Sequence, residues 1–504
     1  MTAQPTCMSS TKAPLSVLTE AIEAFNPLPP AAVAVAPSSP PIFQCDPSKL
    51  EELHRLPELM LGIHDRYAHF FRTQTRTVAR HAIDYLHGLF IAKERNMTCI
   101  SKTVPGANYQ GIQHFITDSP WDEGDVIDQL QCDADRLIGD LENASLHVDG
   151  SGFLKSGHAS VGVKDQYCGV IGGVDNCQVG VYLGLTHGRD RILIDKRLSL
   201  PREWADDPDR RTKCGVPDNV VYRTRPEHAW EMIREAKRRG VRFGWIGMDI
   251  EFGQNIKLLH RIDEGGMVYV ADVKSERKVW TEPPRTGIFP RHPGPGRPPK
   301  RVRVLKGEPA SVQARELADT LPTTSWRRVF LRDAERGEMW ADICCLRVHP
   351  VHDRVPDDEV WLIIRKDLGN EKDVKYQLSN APKNTPIDRL ARMSCSRYWI
   401  ERAIQDAKGE VGMDEYQVRG WPAWNHHMTM VMLAMLVLLE LRLEMKDENH
   451  PFTIQDVCDL LGSALPRRTF TLEEAYEEVV AKIRARMSAR WSHHRRSSMG
   501  TIGA

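Results

Sequence analysis

Paired cysteines are missing from this sequence. Eleven cysteines are scattered over 504 residues with no C-x-x-C pair, and the adjacent Cys344 and Cys345 lack the spacing of zinc ligands. The set reads as reduced, mostly buried thiols of a cytoplasmic protein, and the spacing gives no ground to expect zinc. Net charge is absent too: 68 Lys and Arg balance 68 Asp and Glu. That excludes a uniformly basic chain, so any contact with a polyanion must come from local patches. No basic segment followed by an apolar run opens the sequence, so no secretory signal is expected. The most apolar stretch, Met428 to Leu441, is shorter than the ~20 residues of a membrane helix, and Glu440 interrupts its end. It predicts a buried core helix.

Hydrophobic residues make up 41% of the chain, enough for a sizeable core, and the length allows more than one domain. Residues 1–48 are rich in Pro, Ala and Ser, which predicts a flexible tail. Residues 49–142 carry helical periodicity. Phe71, Val78, Ala82, Leu86 and Leu89 fall near one face, and Arg72, Arg76 and Arg80 recur every fourth residue on another. After a turn at Pro105 and Gly106, Asn108, Gln110, Gln113 and His114 open a further helix. This spacing resembles a helix-turn-helix, whose second helix reads base edges, and points to a helical DNA-binding region; a solvated helical face is the plainer reading.

At Ala144 the pattern changes to strands: ASLHVDG, HASVGV, NCQVGVYLGL and RILIDKRLSL. A helix between Pro226 and Gly240 and a strand in VRFGWIGMDI follow, so an α/β core spans 143–271 and resumes over 386–445. Residues 272–385 read as a β-rich insertion entered through a basic, Pro/Gly-rich loop. There, Arg297, Lys300 and Arg301 in GRPPKR are suited either to an A·T-rich minor groove or to a solvated linker. Residues 446–504 form a helical, basic C-terminal region whose cations suit salt-sensitive phosphate contacts.

Three acids stand out. Asp149 and Asp249 each close a short apolar run, at the expected ends of strands, where side chains are rigidly mounted. Glu401 lies in SCSRYWIERAIQDAKGEVG, which has no helix breaker before Gly409; Arg397 stands four residues before it and Lys408 seven after, all on one helical stripe. Carboxylates brought together repel one another unless a divalent cation joins them, and two Mg²⁺ (or Mn²⁺) ions on such a triad suit in-line phosphoryl transfer. Arg397 and Lys408 suit a phosphate backbone. Acids after apolar runs and Arg–Glu pairs are common, so spacing alone leaves a surface ion pair open. Glu251, two residues past Asp249, is expected to face solvent or pair with a cation.

Longer segments carry more information. HVDGSGFLKSGHASVGVKDQYCGVIGGVDNCQVGVYLGL, RLSLPREWADDPDRRTKCGVP, YRTRPEHAWEM, WIGMDIEFGQN and IERAIQDAKGEVGMDEYQVRGWPAWNHHMTMVMLA follow one another in this order. With them the chain resembles bacterial DDE transposases of the insertion sequence 701 family over roughly residues 60–445. The resemblance implies a ribonuclease H-like catalytic core with a β-rich insertion, with Asp149, Asp249 and Glu401 as catalytic metal ligands. It implies binding to terminal inverted repeats and target DNA, a homodimer in the DNA complex, and strand cleavage and transfer in the bacterial cytoplasm, at the nucleoid. Arg397, Glu401 and Lys408 match three members of the Tyr-Arg-Glu-Lys signature of the related insertion sequence 4 group, while Ser394 stands at the Tyr position. Relatives use an aromatic residue of the insertion to form DNA hairpins; Trp280, Trp326 and Trp340 are the candidates here. Two other readings remain open: an inactive, domesticated DNA-binding protein, and a nuclease of the same core that joins nothing.

Overall fold

A computed structural model of the protein describes residues 53–73, 77–289, 300–334, 337–369, 373–445 and 452–500, and within them five named α-helices precede the first strand. The predicted tail at 1–48, Arg76 and Arg297 lie outside those residues. The helices are α1 (Leu56–Tyr67), α2 (Ala79–Ile91), α3 (Met97–Thr103), α4 (Tyr109–Thr117) and α5 (Glu123–Ile138). Asn96, Asn108 and Asp122 cap the last three by accepting from the backbone N–H groups of Cys99, Gly111 and Gly124, which the helix itself leaves unpaired.

The predicted helical stripe of Arg72, Arg76 and Arg80 does not form. A 3₁₀ turn occupies Ala68–Phe71, and Arg72 makes an isolated antiparallel bridge with Thr77 before α2 begins. Thr73, Thr77 and Val78 are β-branched, with side-chain freedom that a helix restricts. Arg72 and Arg80 are both exposed but belong to different elements.

Among the described residues thirteen strands share one mixed sheet, so the architecture is α/β. The first four are β1 (Ala144–Leu154), β2 (Lys164–Cys168), β3 (Gly173–His187) and β4 (Asp190–Leu198). Helix α6 (Arg225–Arg238), β5 (Trp245–Met248), α7 (Ile256–Glu264) and β6 (Tyr269–Val273) follow. At the start of α6 the Glu227 carboxylate accepts from the Thr224 backbone N–H at 2.8 Å, closing a capping box. Five strands run β4-β3-β1-β5-β6; the first three are antiparallel neighbours, and β1, β5 and β6 are parallel.

The predicted strand HASVGV is absent. Residues 158–163 are bends and turns, because the Val161 N–H donates to Arg419 O and its carbonyl accepts from the buried Gln178 amide. β1 also runs further than predicted. Asp149 lies mid-strand, since Gly150 to Leu154 keep pairing with β3; what ends beside Asp149 is the pairing with β5, at Val148↔Met248.

The insertion contributes β7 (Lys278–Trp280), β8 (Thr286–Ile288), β9 (Val302–Val304), β10 (Val312–Gln313) and α8 (Ala314–Thr320). It then forms β11 (Arg327–Ala334), β12 (Gly337–His352), β13 (Val355–Pro356), β14 (Val360–Asp367) and β15 (Val374–Ser379). β8 and β9 pair separately; the others extend the core sheet, because β15 pairs antiparallel with β6 at Gln377↔Asp272.

The chain ends in α9 (Ile387–Cys395), α10 (Tyr398–Val411), α11 (Trp421–Glu444), α12 (Ile454–Ala464) and α13 (Leu472–Gly500). Gly409 lies inside α10, and Gly412, at φ 67°, is the residue that stops it. Helix α11 has 24 residues, longer than its apolar run and sufficient by length and composition to cross a membrane, but 83% of its most apolar window is buried inside the protein. Helices α1, α2, α4 and α5, together with β4, surround it in one continuous core. Glu440, which interrupts the run, is held by the Arg66 guanidinium at 2.5 and 3.0 Å.

Buried histidines make this core sensitive to acid. On α11, His427 accepts from the Tyr85 hydroxyl at 2.8 Å and faces Met413 O, and burial pushes it down to about 4. Burial also pushes His228 of α6 down to about 4. The unfolded chain takes up these protons near pH 6.5 and the folded protein does not. Their stabilisation is therefore present above pH 6.5 and lost as pH falls toward 4, at about 1.4 kcal/mol per pH unit per histidine. The raised Asp149 acts in the opposite sense, so the test is a difference: between pH 6.5 and 5 the stability from urea unfolding should fall less steeply in His427→Gln than in the parent, by about this slope. An unchanged slope would contradict the assignment.

Candidate active site

The register of three parallel strands sets three acids at one level. Val148 pairs with Met248, and Met248 with Ala271, so Asp149, Asp249 and Asp272 are the next residues on β1, β5 and β6. Parallel strands allow this because their side chains repeat in step across the sheet. Gly247 permits the close approach of β5 to β1: a Cβ there would come within 2.2 Å of the His147 ring. After Asp249 the chain leaves the sheet in a short helix, Ile250–Gly253, whose first turn the Asp249 side chain caps by accepting from Phe252 N at 3.2 Å.

Glu401, exposed on the first turn of α10, joins the acids through Arg397. Arg397 immediately precedes that helix, and its guanidinium lies 2.6 Å from Glu401, 3.1 Å from Asp272 and 3.8 Å from Asp149. One cation thus joins carboxylates from β1, β6 and α10. Gln377 of β15 donates to the other oxygen of Asp272 at 2.6 Å, which couples the insertion to the cluster.

The electrostatics follow from crowding and burial. The Asp149 side chain is 15% exposed. Burial, then the neighbouring Asp249 carboxylate, push it up to about 7, against the pull of Arg397. Burial also raises Asp249, with the Phe252 N–H and Arg397 opposing and Glu251 and Asp272 adding. Burial works against the Arg397 charge, yet Asp272, Glu401, Asp149 and Asp249 together hold it above its ordinary value. Acids that resist sharing one small volume, gathered round a single guanidinium, form a donor set that fits divalent cations: oxygen ligands, excess negative charge and side chains fixed on strands. A cleft of about 430 Å³ opens beside them, lined by Asp249, Asp272, Arg397, Lys274, Lys375 and Tyr376.

Other predicted residues lie elsewhere. Lys408, half-buried two turns along α10, sits 5.2 Å from the Phe153 ring of β1. Gln110 and Gln113 are exposed on α4, behind the turn at Gly106 that separates it from α3. Arg80 pairs with Asp84 at 3.1 Å, and Lys300 and Arg301 are exposed just before β9. Glu251 pairs with Arg225 at 2.9 Å, as a solvent-facing acid was expected to do. Ser394, at the position where related chains carry Tyr, is buried; its carbonyl accepts from Arg365 and Gln377. Of the three tryptophans, Trp280 is buried and donates to Pro309 O, Trp326 lies under Lys366, and Trp340 packs on Phe330. Sequence reasoning missed Asp272, although VYVAD repeats the pattern of an apolar run closed by an acid seen in LHVD and IGMD.

Two comparisons bear on this arrangement. A curated relative from Microchaete diplosiphon, described as a probable transposase for insertion sequence element IS701, is 25% identical over 375 residues, covering 71% of this chain and 82% of the relative. The family described as DDE superfamily endonuclease matches residues 67–338, a span that holds Asp149, Asp249 and Asp272 and ends before Arg397 and Glu401. With more than half of its length matched, and with the acids of that span at one level of three neighbouring strands, the chain belongs to the DDE superfamily endonucleases.

Proposed function

We propose that this protein is a DNA transposase that binds the terminal inverted repeats of an insertion sequence, cuts there, and joins the freed 3′ ends to target DNA. The observation that carries the reading is the single Arg397 guanidinium shared by Asp149, Asp272 and Glu401, with Asp249 on the adjacent strand. The strand order β4-β3-β1-β5-β6, three antiparallel strands then two parallel ones, supports a ribonuclease H-like core. The printed description of the relative supports transposition over simple hydrolysis.

Asp149, Asp249 and Glu401 are the metal ligands in this reading, with Asp272 behind them as the partner that positions Arg397. Bound there, two Mg²⁺ ions would supply activation of the attacking oxygen and neutralise the leaving one. The protein's own work is positional. Rigid strands hold Asp149 and Asp249 at one height, and α10 carries Glu401 across the top. Arg397, once its carboxylates are engaged elsewhere, is placed to grip a phosphate, with Lys408 further along the same helix. Gln110 and Gln113 on α4, Arg72, Arg80, Lys300 and Arg301, together with Arg76 and Arg297, extend the DNA contact. The acting species is a homodimer that holds two ends.

Purified protein given Mg²⁺ and DNA carrying the flanking element ends should nick or cut at those ends and yield joined products with a target plasmid. Asp149→Ala, Asp249→Ala and Glu401→Ala should each lower cleavage about a thousandfold or more, the kinetic equivalent of several kcal/mol of lost charge stabilisation. Cleavage that survives in all three variants would place the chemistry elsewhere. Cutting without joined products would make the protein a nuclease.

Arg397→Ala makes a separate prediction. Without its counter-ion the acid cluster repels itself, so the variant should melt below the parent in EDTA. Mg²⁺ should then raise its melting temperature by more than it raises the parent's. Equal shifts would show that Arg397 does not balance the cluster.

A further inference from the structure

A second group of ligating side chains lies where the insertion meets a core helix. His260 projects from α7, His352 ends β12, and Asp357 follows β13; their ligand atoms all lie within 4.8 Å of one another. His260 Nε2 is 2.8 Å and His352 Nδ1 3.7 Å from the same Asp357 oxygen, and the two rings stand 5.1 Å apart. All three residues are half-buried, and none belongs to the acid cluster. Their wide separation in sequence explains why Cys/His spacing gave no sign of them.

The backbone holds the group in place. The Asp357 N–H donates to Pro350 O at 2.8 Å, and its carbonyl accepts from His349 Nδ1 at 2.9 Å. Between His352 and Val355 the chain reverses through Asp353 and Arg354, at φ 47° and 70°. Positive φ at both central residues matches the twist of a hairpin but is usually met by Asn and Gly, and an Arg there costs on the order of 1 kcal/mol. Asp263 and Asp358 stand with Asp357 around the buried Tyr269, an acidic setting that offsets the nearby Arg277.

We propose that His260, His352 and Asp357 bind a zinc-class transition-metal ion, with water in the fourth position, which fastens the insertion to the core. Two imidazoles and a carboxylate suit zinc, whereas the all-oxygen cluster of Asp149, Asp249 and Glu401 suits magnesium. Tetrahedral zinc with bonds near 2.1 Å sets its ligand atoms about 3.4 Å apart; the two His–Asp distances of 2.8 and 3.7 Å bracket that spacing, and all the ligand atoms lie within 4.8 Å.

The test uses the full chain carrying Asp149→Asn and Asp249→Asn, so that the acid cluster does not compete. Titration with Co²⁺ should give the visible bands of a four-coordinate site at one equivalent, and Zn²⁺ should abolish them. Adding His352→Gln or His260→Gln should weaken Co²⁺ binding about tenfold or more. Circular dichroism confirms that each variant is folded; if a His variant fails to fold, Asp357→Asn takes its place. Zn²⁺ should also raise the melting temperature of the parent double variant and leave that of the His352→Gln form unchanged. Absence of bands, or bands that persist in folded ligand variants, would reduce the group to a hydrogen-bonded clasp and overturn the proposal.

Discussion

Acids held close together at one level of the central strands are the constraint around which this protein is arranged. Asp149, Asp249 and Asp272 share a level because three parallel strands are in register, and no rotation of a buried strand can move them apart. The repulsion is met by Arg397, whose guanidinium lies within 4 Å of three of the four carboxylates, and a divalent cation would meet it in the same way. Much of the remaining structure serves to keep those partners in place. Helix α10 is anchored by Ile400, Ala403 and Ala407 in the core, so Glu401 and Arg397 arrive at a fixed height. The insertion reaches the same point through Gln377, which bonds Asp272.

The N-terminal helices and α10 are joined through α11. Helices from the first third of the chain pack around it, and α10, which carries the third acid, packs against it as well. The N-terminal helices and the acid cluster therefore rest on a common core, so movement of one is resisted by the packing of the other. Pairing of β15 with β6 likewise makes the insertion an extension of the catalytic sheet. The His260–His352–Asp357 group adds a second tie between insertion and core, away from the acids.

Much of this was legible in the residues. Apolar runs in NCQVGVYLGL, RILIDKRLSL and DEVWLIIRKD mark β3, β4 and β14 because buried strands need continuous hydrophobic faces. Asp149 and Asp249 were found because an acid closing such a run is chemically conspicuous. Asp272 closes an equally apolar run, but no motif drew attention to it, and only strand register shows that it shares their level. The Arg72–Arg80 stripe failed because local β-branching outweighed a four-residue period. The length of β1 beyond Asp149 was hidden because the apolar run stops at the acid, and only the pairing with β3 shows that the strand continues to Leu154. Histidine clusters built from distant segments leave no spacing to read.

The central claim is that Asp149, Asp249 and Glu401 share metal. Crystals of the full chain grown with Mn²⁺ test it most directly, because anomalous scattering locates the ion without reference to activity. The account predicts anomalous density between the Asp149 and Asp249 carboxylates, with Glu401 turned toward it and Arg397 displaced from at least one acid. Mn²⁺ absent from that position, with Arg397 still bridging Asp149, Asp272 and Glu401, would contradict it.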